Sequence, residues 1–287
     1  VSATIRQALA AAIPRLERAG VETPRLDAEL LLAHVLGRNR TYLVAHPQEA
    51  LGAEERDRFE ALLGRREARE PLPYLLGAWE FLGMRFRVSP AVLIPRPETE
   101  TLVETVAARL PADARVLDVG TGSGCIAIGL ARLLPGARVT ALDASAGAAA
   151  VARENAVGLG VAERVQVMEG RFPEAARGLA GLDAVVSNPP YIPSAQVEGL
   201  APELRAYEPR LALDGGADGL DLIRPLVEGT PRLLKPGGLL ALEVAQGQAE
   251  QVLGLIRANG EWSQAEAVRD LSGTPRVVLA RSAGREA

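Results

Sequence analysis

The sequence predicts an α/β chain, a mostly parallel seven-stranded sheet with helices on both faces, preceded by a small helical bundle and a β-hairpin linker. Three observations predict it. From about residue 113 short apolar runs alternate with helical patterns, the order that builds a parallel sheet covered on both sides. The first 70 or so residues carry their apolar side chains at helical spacing. Between the two, residues 71–100 turn rich in proline and aromatics. The implied division is 1–75, a helical domain; 76–100, the hairpin linker; and 101–287, the sheet domain.

In the first segment Ile5, Leu9, Ile13 and Leu16 recur at helical spacing, and Gly20 stands where a C-terminal cap belongs. Thr23-Pro24 is a cap followed by a first-turn proline; Leu26, Leu30, Leu31 and Val35 follow, and Gly37 stops the run. A third helix spans about Glu54 to Arg69, with Phe59, Leu62 and Leu63 as its apolar stripe. Gly83 turns the hairpin, which ends in the loop Ile94–Thr99, where Pro95 and Pro97 predict extended backbone. Strands are expected at Arg115–Val119, Arg138–Asp143, Arg164–Met168, Asp183–Ser187, Leu239–Val244, near Glu266–Arg269 and at Arg276–Arg281. The helices between them run to Leu134, through Asn155, over Leu222–Leu234 and over Gln248–Ala258. The terminal SAGREA is expected to fray.

Composition narrows the function classes. A 287-residue chain that is 48% hydrophobic can bury a sizeable core. No run of about 20 apolar residues suggests a membrane span, and charges inside the first apolar stretch point to an amphipathic helix and not a secretory leader. The single cysteine, Cys125, forms no internal disulfide and reads as a small buried side chain, which fits a reducing cytoplasm. The net charge of −4 lacks the basic excess of a general nucleic-acid binder. Lys235 is the only lysine among 32 basic residues, a bias that suits a thermophile or a GC-rich genome. His34 and His46 read as surface or core residues, and no metal-ligand spacing appears.

The chemistry-bearing motifs lie after residue 115. In VLDVGTGSGCIAIGLA, residues 116–131, a buried strand runs through Gly120-Thr121-Gly122-Ser123-Gly124 into a helix. Glycines let the backbone turn tightly and approach a ligand. The spacing G-x-G-x-G differs from the G-x-G-x-x-G of nicotinamide dinucleotide binders and lacks the Lys-Ser/Thr ending of a phosphate-gripping loop. It suits a ligand without phosphates, such as the methionine part of S-adenosylmethionine. Asp143 ends the second strand in VTALDAS. An acid there binds ribose hydroxyls in doubly wound sheets; alone it would read as a cap for the helix after Ser145. In LDAVVSNPPY, residues 182–191, an apolar strand ends in Asn188-Pro189-Pro190-Tyr191. The prolines stiffen the loop and remove two backbone donors. The Pro189 carbonyl and the Asn188 side-chain oxygen make two fixed acceptors, which suit an NH2 group with two hydrogens to donate. Tyr191 adds a flat face for a planar amide or base. Glu243 ends the fifth strand at the cleft edge, behind these residues.

Asn-Pro-Pro-Tyr after the fourth strand resembles the signature of methyltransferases acting on exocyclic or amide nitrogens. That group includes DNA adenine methyltransferases and the protein-glutamine methyltransferases of peptide chain release factors. IPRPETE, Ile94–Glu100, together with the helical N-terminal segment and the hairpin, resembles the second family, and the resemblance covers nearly the whole chain. It implies a Rossmann-like class I methyltransferase domain, S-adenosyl-L-methionine as methyl donor and S-adenosyl-L-homocysteine as product. It further implies transfer to the N5 amide nitrogen of the glutamine in the Gly-Gly-Gln loop of release factors, the proteins of translation termination. The enzyme is then expected to be a cytoplasmic monomer, with no nucleic-acid or membrane partner and no metal. By residue, the resemblance makes Asn188, Pro189 and Tyr191 catalytic and Asn188, Pro189, Pro190 and Tyr191 substrate-binding. It gives the cofactor Gly120, Thr121, Gly122, Ser123, Gly124, Asp143, Arg171, Phe172 and Asn188. At the end of the third strand such enzymes commonly carry an acid followed by an aromatic beside the adenine. Here Glu169-Gly170-Arg171-Phe172 stands instead, so Arg171 takes the adenine-contact position by its backbone or by stacking its guanidinium plane. Residues 1–75 become the domain that recognises the protein substrate. The alternative is an adenine-N6 methyltransferase of DNA, acting on a flipped base; it would want a basic groove and a target-recognition segment, and the sequence displays neither.

Overall fold

The computed structural model describes residues 3–284. It falls into two compact units, one made of the chain up to Ala78 together with Ala201–Tyr207, the other of Trp79–Leu200 and the chain from Glu208 on.

The first unit is helical. Its helices are α1 (Ile5–Arg18), α2 (Pro24–Leu36), α3 (Arg40–Ala45), α4 (Ala53–Glu67) and α5 (Leu72–Leu76). α1 starts on a reciprocal cap: the Gln7 amide donates to the Thr4 hydroxyl and the Thr4 amide to the Gln7 side chain. Ile5, Leu16, Leu31, Leu32, Phe59 and Leu63 are fully buried and form the core of the bundle. Thr23 begins α2 without capping it; its hydroxyl donates to Asp27 at 2.6 Å.

The second unit begins with the hairpin of β1 (Ala78–Phe81) and β2 (Met84–Arg87), followed by α6 (Pro97–Ala107). Alternation follows: β3 (Arg115–Val119), α7 (Cys125–Leu133), β4 (Arg138–Asp143), α8 (Ala146–Gly158), β5 (Val165–Glu169) and β6 (Leu182–Ser187). Two short helices come next, α9 (Ser194–Val197) and α10 (Pro202–Tyr207), then α11 (Ile223–Gly229), β7 (Leu234–Glu243), α12 (Ala249–Asn259), β8 (Trp262–Arg269) and β9 (Pro275–Ser282). α10 belongs to the first unit, where Glu203 accepts from Arg66 at 3.0 Å and from Arg69 at 2.6 and 2.7 Å, while Arg66 also donates to the buried Asp27 at 2.7 Å.

The seven-stranded sheet has the order β5-β4-β3-β6-β7-β9-β8. All neighbours are parallel except β9, which runs antiparallel to both β7 and β8. Successive side chains of a strand point to opposite faces, so the sheet carries two apolar layers. Val116, Val139 and Val186 pack with α6 and α7 on one face, and Leu117, Val185 and Leu240 with α11 and α12 on the other. β3 is flanked by β4 and β6, reached by connections that leave in opposite directions, which opens a crevice at its carboxyl end. Among the described residues no helix is long and apolar enough to cross a membrane.

Three local expectations are corrected. The backbone does not stay extended to Thr99: Pro97 is the first residue of α6, with Glu98 and Glu100 in its first turn. A proline at that position loses no hydrogen bond, and acids there favour the helix dipole. The helix expected over Leu222–Leu234 ends at Gly229 and continues as a 3-10 turn, Thr230–Arg232, because Pro231 cannot donate to a continuing helix. The terminal SAGREA is ordered at its start, since Ser282 ends β9 and is buried; its last three residues lie outside the described ones.

Candidate active site

The carboxyl ends of β3, β4 and β6 open into a cavity of about 470 Å³, a volume suited to a small-molecule ligand. Its floor is the glycine loop after β3. Gly120 and Thr121 both donate their amides to the Leu142 carbonyl, at 2.8 and 3.1 Å, which folds the loop back over the end of β4. Gly122 has φ +56 and no atom within 4 Å of where a Cβ would stand. A side chain there would be strained and would project into the space left for a ligand. Thr121 donates to Asp118 at 2.6 Å, and Asn155 donates to the Ser123 carbonyl at 2.8 Å. The loop is thus braced from below by a buried carboxyl and from the side by a buried amide. Burial pushes Asp118 up to about 7.

Asp143 is tied into the same loop. One of its oxygens accepts from the Gly122 amide and the other from the Ser145 amide, each at 2.8 Å. Burial raises its pKa and these backbone hydrogen bonds oppose the rise. The cap of α8 is Ser145, whose hydroxyl accepts from Ala148 at 3.2 Å, so the side chain of Asp143 is left to the cavity it lines. A carboxylate has about four lone-pair sites, and the backbone amides of Gly122 and Ser145 take one on each oxygen.

Asn188 stands on the opposite wall. Its side-chain nitrogen donates to the Thr99 hydroxyl of α6 at 3.1 Å. With the NH2 end committed to Thr99, the carbonyl end Oδ1 is the acceptor this amide can offer a ligand. Two glycines of the segment after Pro209 set the position of the Asn-Pro-Pro-Tyr loop. A Cβ on Gly215 would lie 2.5 Å from the Pro190 carbonyl oxygen, and one on Gly219, at φ +79, would lie 2.3 Å from that of Tyr191. Glu208, almost fully buried, fixes the facing segment by accepting from the Ile94 amide at 3.2 Å and from the Arg96 guanidinium.

Of the residues singled out in the sequence, Gly120, Thr121, Gly122, Ser123, Asp143, Arg171, Phe172, Asn188 and Pro190 line the cavity. Gly124, Pro189 and Tyr191 lie outside its wall. Gly124 caps α7 against Ile128 and Ala152, Pro189 is buried, and the Tyr191 ring packs on the second apolar layer. Cys125 lines the cavity as a buried thiol that burial pushes up to about 12, so it is no nucleophile. Among the described residues no group of His, Cys, Asp and Glu could hold a metal ion. Sequence reasoning missed Thr99, Glu208 and the glycines 215 and 219. The only signal for the two glycines was a run of Gly and Asp around residue 216, without periodicity.

The chain matches two family models, "PrmC N-terminal domain" over residues 7–77 and "Methyltransferase small domain" over residues 97–203. A methyltransferase from Pyrococcus furiosus shares the fold at a TM-score of 0.50 and 20% identity, over 71% of this chain and 91% of its own. The release factor glutamine methyltransferase of Moorella thermoacetica is 49% identical over 96% of this chain and 98% of its own length. That of Geobacter sulfurreducens is 46% identical over 97% and 96%. Identity at this level, carried across both the helical unit and the sheet unit, is that of one family: the chain belongs to the release factor glutamine methyltransferases.

Proposed function

We propose that the chain transfers a methyl group from S-adenosylmethionine to the N5 amide nitrogen of a glutamine in a peptide chain release factor. The observation that carries this reading is the Asn188 amide held by Thr99, with Oδ1 left as an acceptor beside a cavity floored by a glycine loop. The residues present fit the cofactor. Gly122 has open space in place of a Cβ, the buried Ser123 hydroxyl has no hydrogen-bond partner among the described residues, and Asp143 has spare lone pairs for ribose hydroxyls. No phosphate-gripping lysine stands near the loop, as suits a ligand without phosphates.

S-adenosylmethionine, when bound, supplies an electrophilic methyl group on a sulfonium. An amide nitrogen is a poor nucleophile because its lone pair is delocalised into the carbonyl. Asn188 Oδ1 and the Pro189 carbonyl accept the two N–H bonds and turn the lone pair toward the methyl. With the donor bound, the nitrogen would take the methyl group as the C–S electron pair returned to sulfur, and one amide proton would leave to water. Positive charge growing on nitrogen strengthens both hydrogen bonds, so they stabilise the transition state more than the ground state. Tyr191 follows at the acceptor end of the loop, and Arg171 and Phe172, which line the cavity after β5, would hold the adenine.

Asp143→Ala is expected to weaken S-adenosylmethionine binding by about tenfold or more, the cost of losing hydrogen bonds to a charged group, and to slow turnover at saturating cofactor much less. Asp143→Asn, which keeps one acceptor, should lose less. Calorimetric affinity equal to wild type in Asp143→Ala would remove this residue from the cofactor site.

Residues 1–75 are proposed to hold the folded protein substrate, because a glutamine on a loop offers few atoms to grip and specificity must come from remote contacts. Deleting them should raise KM for an intact release factor strongly and for a short glutamine peptide little, with cofactor binding retained. Equal losses on both substrates would contradict that role. The overall reading is tested by offering labelled methyl donor with a release factor or with adenine-containing DNA. Label in the protein supports it, and label in DNA alone would assign the chain to the adenine-methylating class.

A further inference from the structure

Behind Asn188 lies a carboxyl group that the methyl-transfer reading leaves unused. Glu243, the last residue of β7, is 1% exposed. Thr99 from α6 and Asn188 from the loop after β6 both lie within hydrogen-bonding reach of its side chain, and its Oε2 is buried with no partner among the described residues. The Asn188 NH2 group donates to Thr99 Oγ1, and since Ser187 pairs with Leu242 the next residues, Asn188 and Glu243, stand side by side at the strand ends, where each side chain acts on the other at short range. A buried carboxyl with one unpaired oxygen is costly unless something is gained by placing it there, and the polar groups it shares with the cavity wall are the Thr99 hydroxyl and the Asn188 amide.

We infer that Glu243 is a positioning residue for methyl transfer: its carboxylate fixes the orientation of the Asn188 amide and, through that amide, makes Oδ1 a stronger acceptor for the substrate nitrogen. This rests on the reading of Asn188 as the group that holds the acceptor amide. The physical basis is polarisation along a hydrogen-bonded chain. A negative charge at the NH2 end of an amide draws the N–H bonds toward it and pushes electron density to the carbonyl oxygen. Hydrogen bonds to charged groups are also about twice as strong as neutral ones. Growing positive charge on the substrate nitrogen would then face an oxygen already made more negative, without any side chain moving during reaction. The protonated carboxylic acid would instead orient Asn188 without polarising it.

The charge state of Glu243 is poised to change near neutrality. Burial pushes it up to about 7, against the hydrogen bonds from Thr99 and Asn188 and the positive charge of Arg276 on β9. Glu98 on α6 pushes it the same way as burial. Tyr191 beside it and Cys125 on α7 are held protonated, both pushed up to about 12. Asp118, beneath the glycine loop, is pushed to the same range, but it is bonded to Thr121 and not to the Asn188 wall, so of the two the limb that Glu243→Gln removes and Thr99→Val moves belongs to Glu243; a bound sulfonium would favour the ionised form of Glu243 further.

The test is the pH profile of kcat/KM for the release factor at saturating S-adenosylmethionine, in wild type, Glu243→Gln and Thr99→Val. In wild type the rate should rise with pH through a limb centred at or below about 7. Glu243→Gln should lose about tenfold in kcat, keep its KM for the cofactor, and show no such limb. Thr99→Val removes a hydrogen bond that favours the ionised form, so its limb should move to higher pH; this variant decides the matter if Glu243→Gln does not fold. A limb kept in Glu243→Gln, or one that stays in place in Thr99→Val, overturns the role of Glu243 while leaving the glutamine-methylating reading intact. A wild type that transfers no methyl to a glutamine amide overturns both.

Discussion

Asn188→Ala should lose on the order of 10²–10³ in kcat on a release factor, the cost of one hydrogen bond made in the transition state, while binding S-adenosylmethionine within a few fold of wild type. The asymmetry follows from where the side chain sits. The cofactor's floor is built by the loop after β3 and by Asp143, each braced by its own backbone hydrogen bonds. Asn188 is braced separately, by Thr99 on the opposite wall from that floor. Removing it leaves the floor intact and takes away an acceptor for the substrate amide. It also leaves the Thr99 hydroxyl without its donor, a small structural cost beside the catalytic one. Asn188→Asp would keep an oxygen in place yet add a charge beside Glu243, and should also be slow. Single-turnover rates with calorimetric cofactor affinities check the claim; wild-type turnover by Asn188→Ala would sink the assignment of this residue.

Gly219→Ala should lose on the order of 10² in kcat, because a displacement of about 1 Å in a positioning loop costs that much. Two effects add. At φ +79 any side chain pays the left-handed backbone penalty, about 1–2 kcal/mol. The new Cβ would also stand 2.3 Å from the Tyr191 carbonyl oxygen, a backbone atom that cannot swing aside. The Asn-Pro-Pro-Tyr loop must shift, and Asn188 with it. Gly237→Ala is the matched control: its φ is +73, yet nothing lies within 4 Å of the added carbon. The control should lose stability alone. Equal kinetic losses in the two variants would show that backbone strain, and not the position of the loop, accounts for the effect.

The parts of this architecture legible in the sequence were those that a local rule reaches. Gly120–Gly124 follows an apolar strand and opens a helix, Asp143 ends a strand and Asn188 directly follows one, so a parallel sheet brings all three to one edge. Thr99 escaped notice because its partner Asn188 is 89 residues away, and no periodicity marks which polar side chain of a loop turns back onto the sheet. Glu208 is hidden in the same way, 114 residues from the Ile94 amide it accepts from. Pro97 misled because a proline two residues after another fits both an extended run and the first turn of a helix, and the choice fell to the acids that follow it. β7 starts at Leu234, earlier than its apolar run suggests, because Leu182 pairs with Leu234 across a bulge that swallows Lys235–Gly238.

The most direct test of the account is mass spectrometry of a release factor incubated with this protein and S-adenosylmethionine. The account requires one added methyl group on the side-chain nitrogen of a single glutamine, in the Gly-Gly-Gln loop, absent when Asn188→Ala replaces the wild type. An unmodified release factor, or a methyl group carried by a lysine, an arginine or a backbone terminus instead of a glutamine amide, would contradict it.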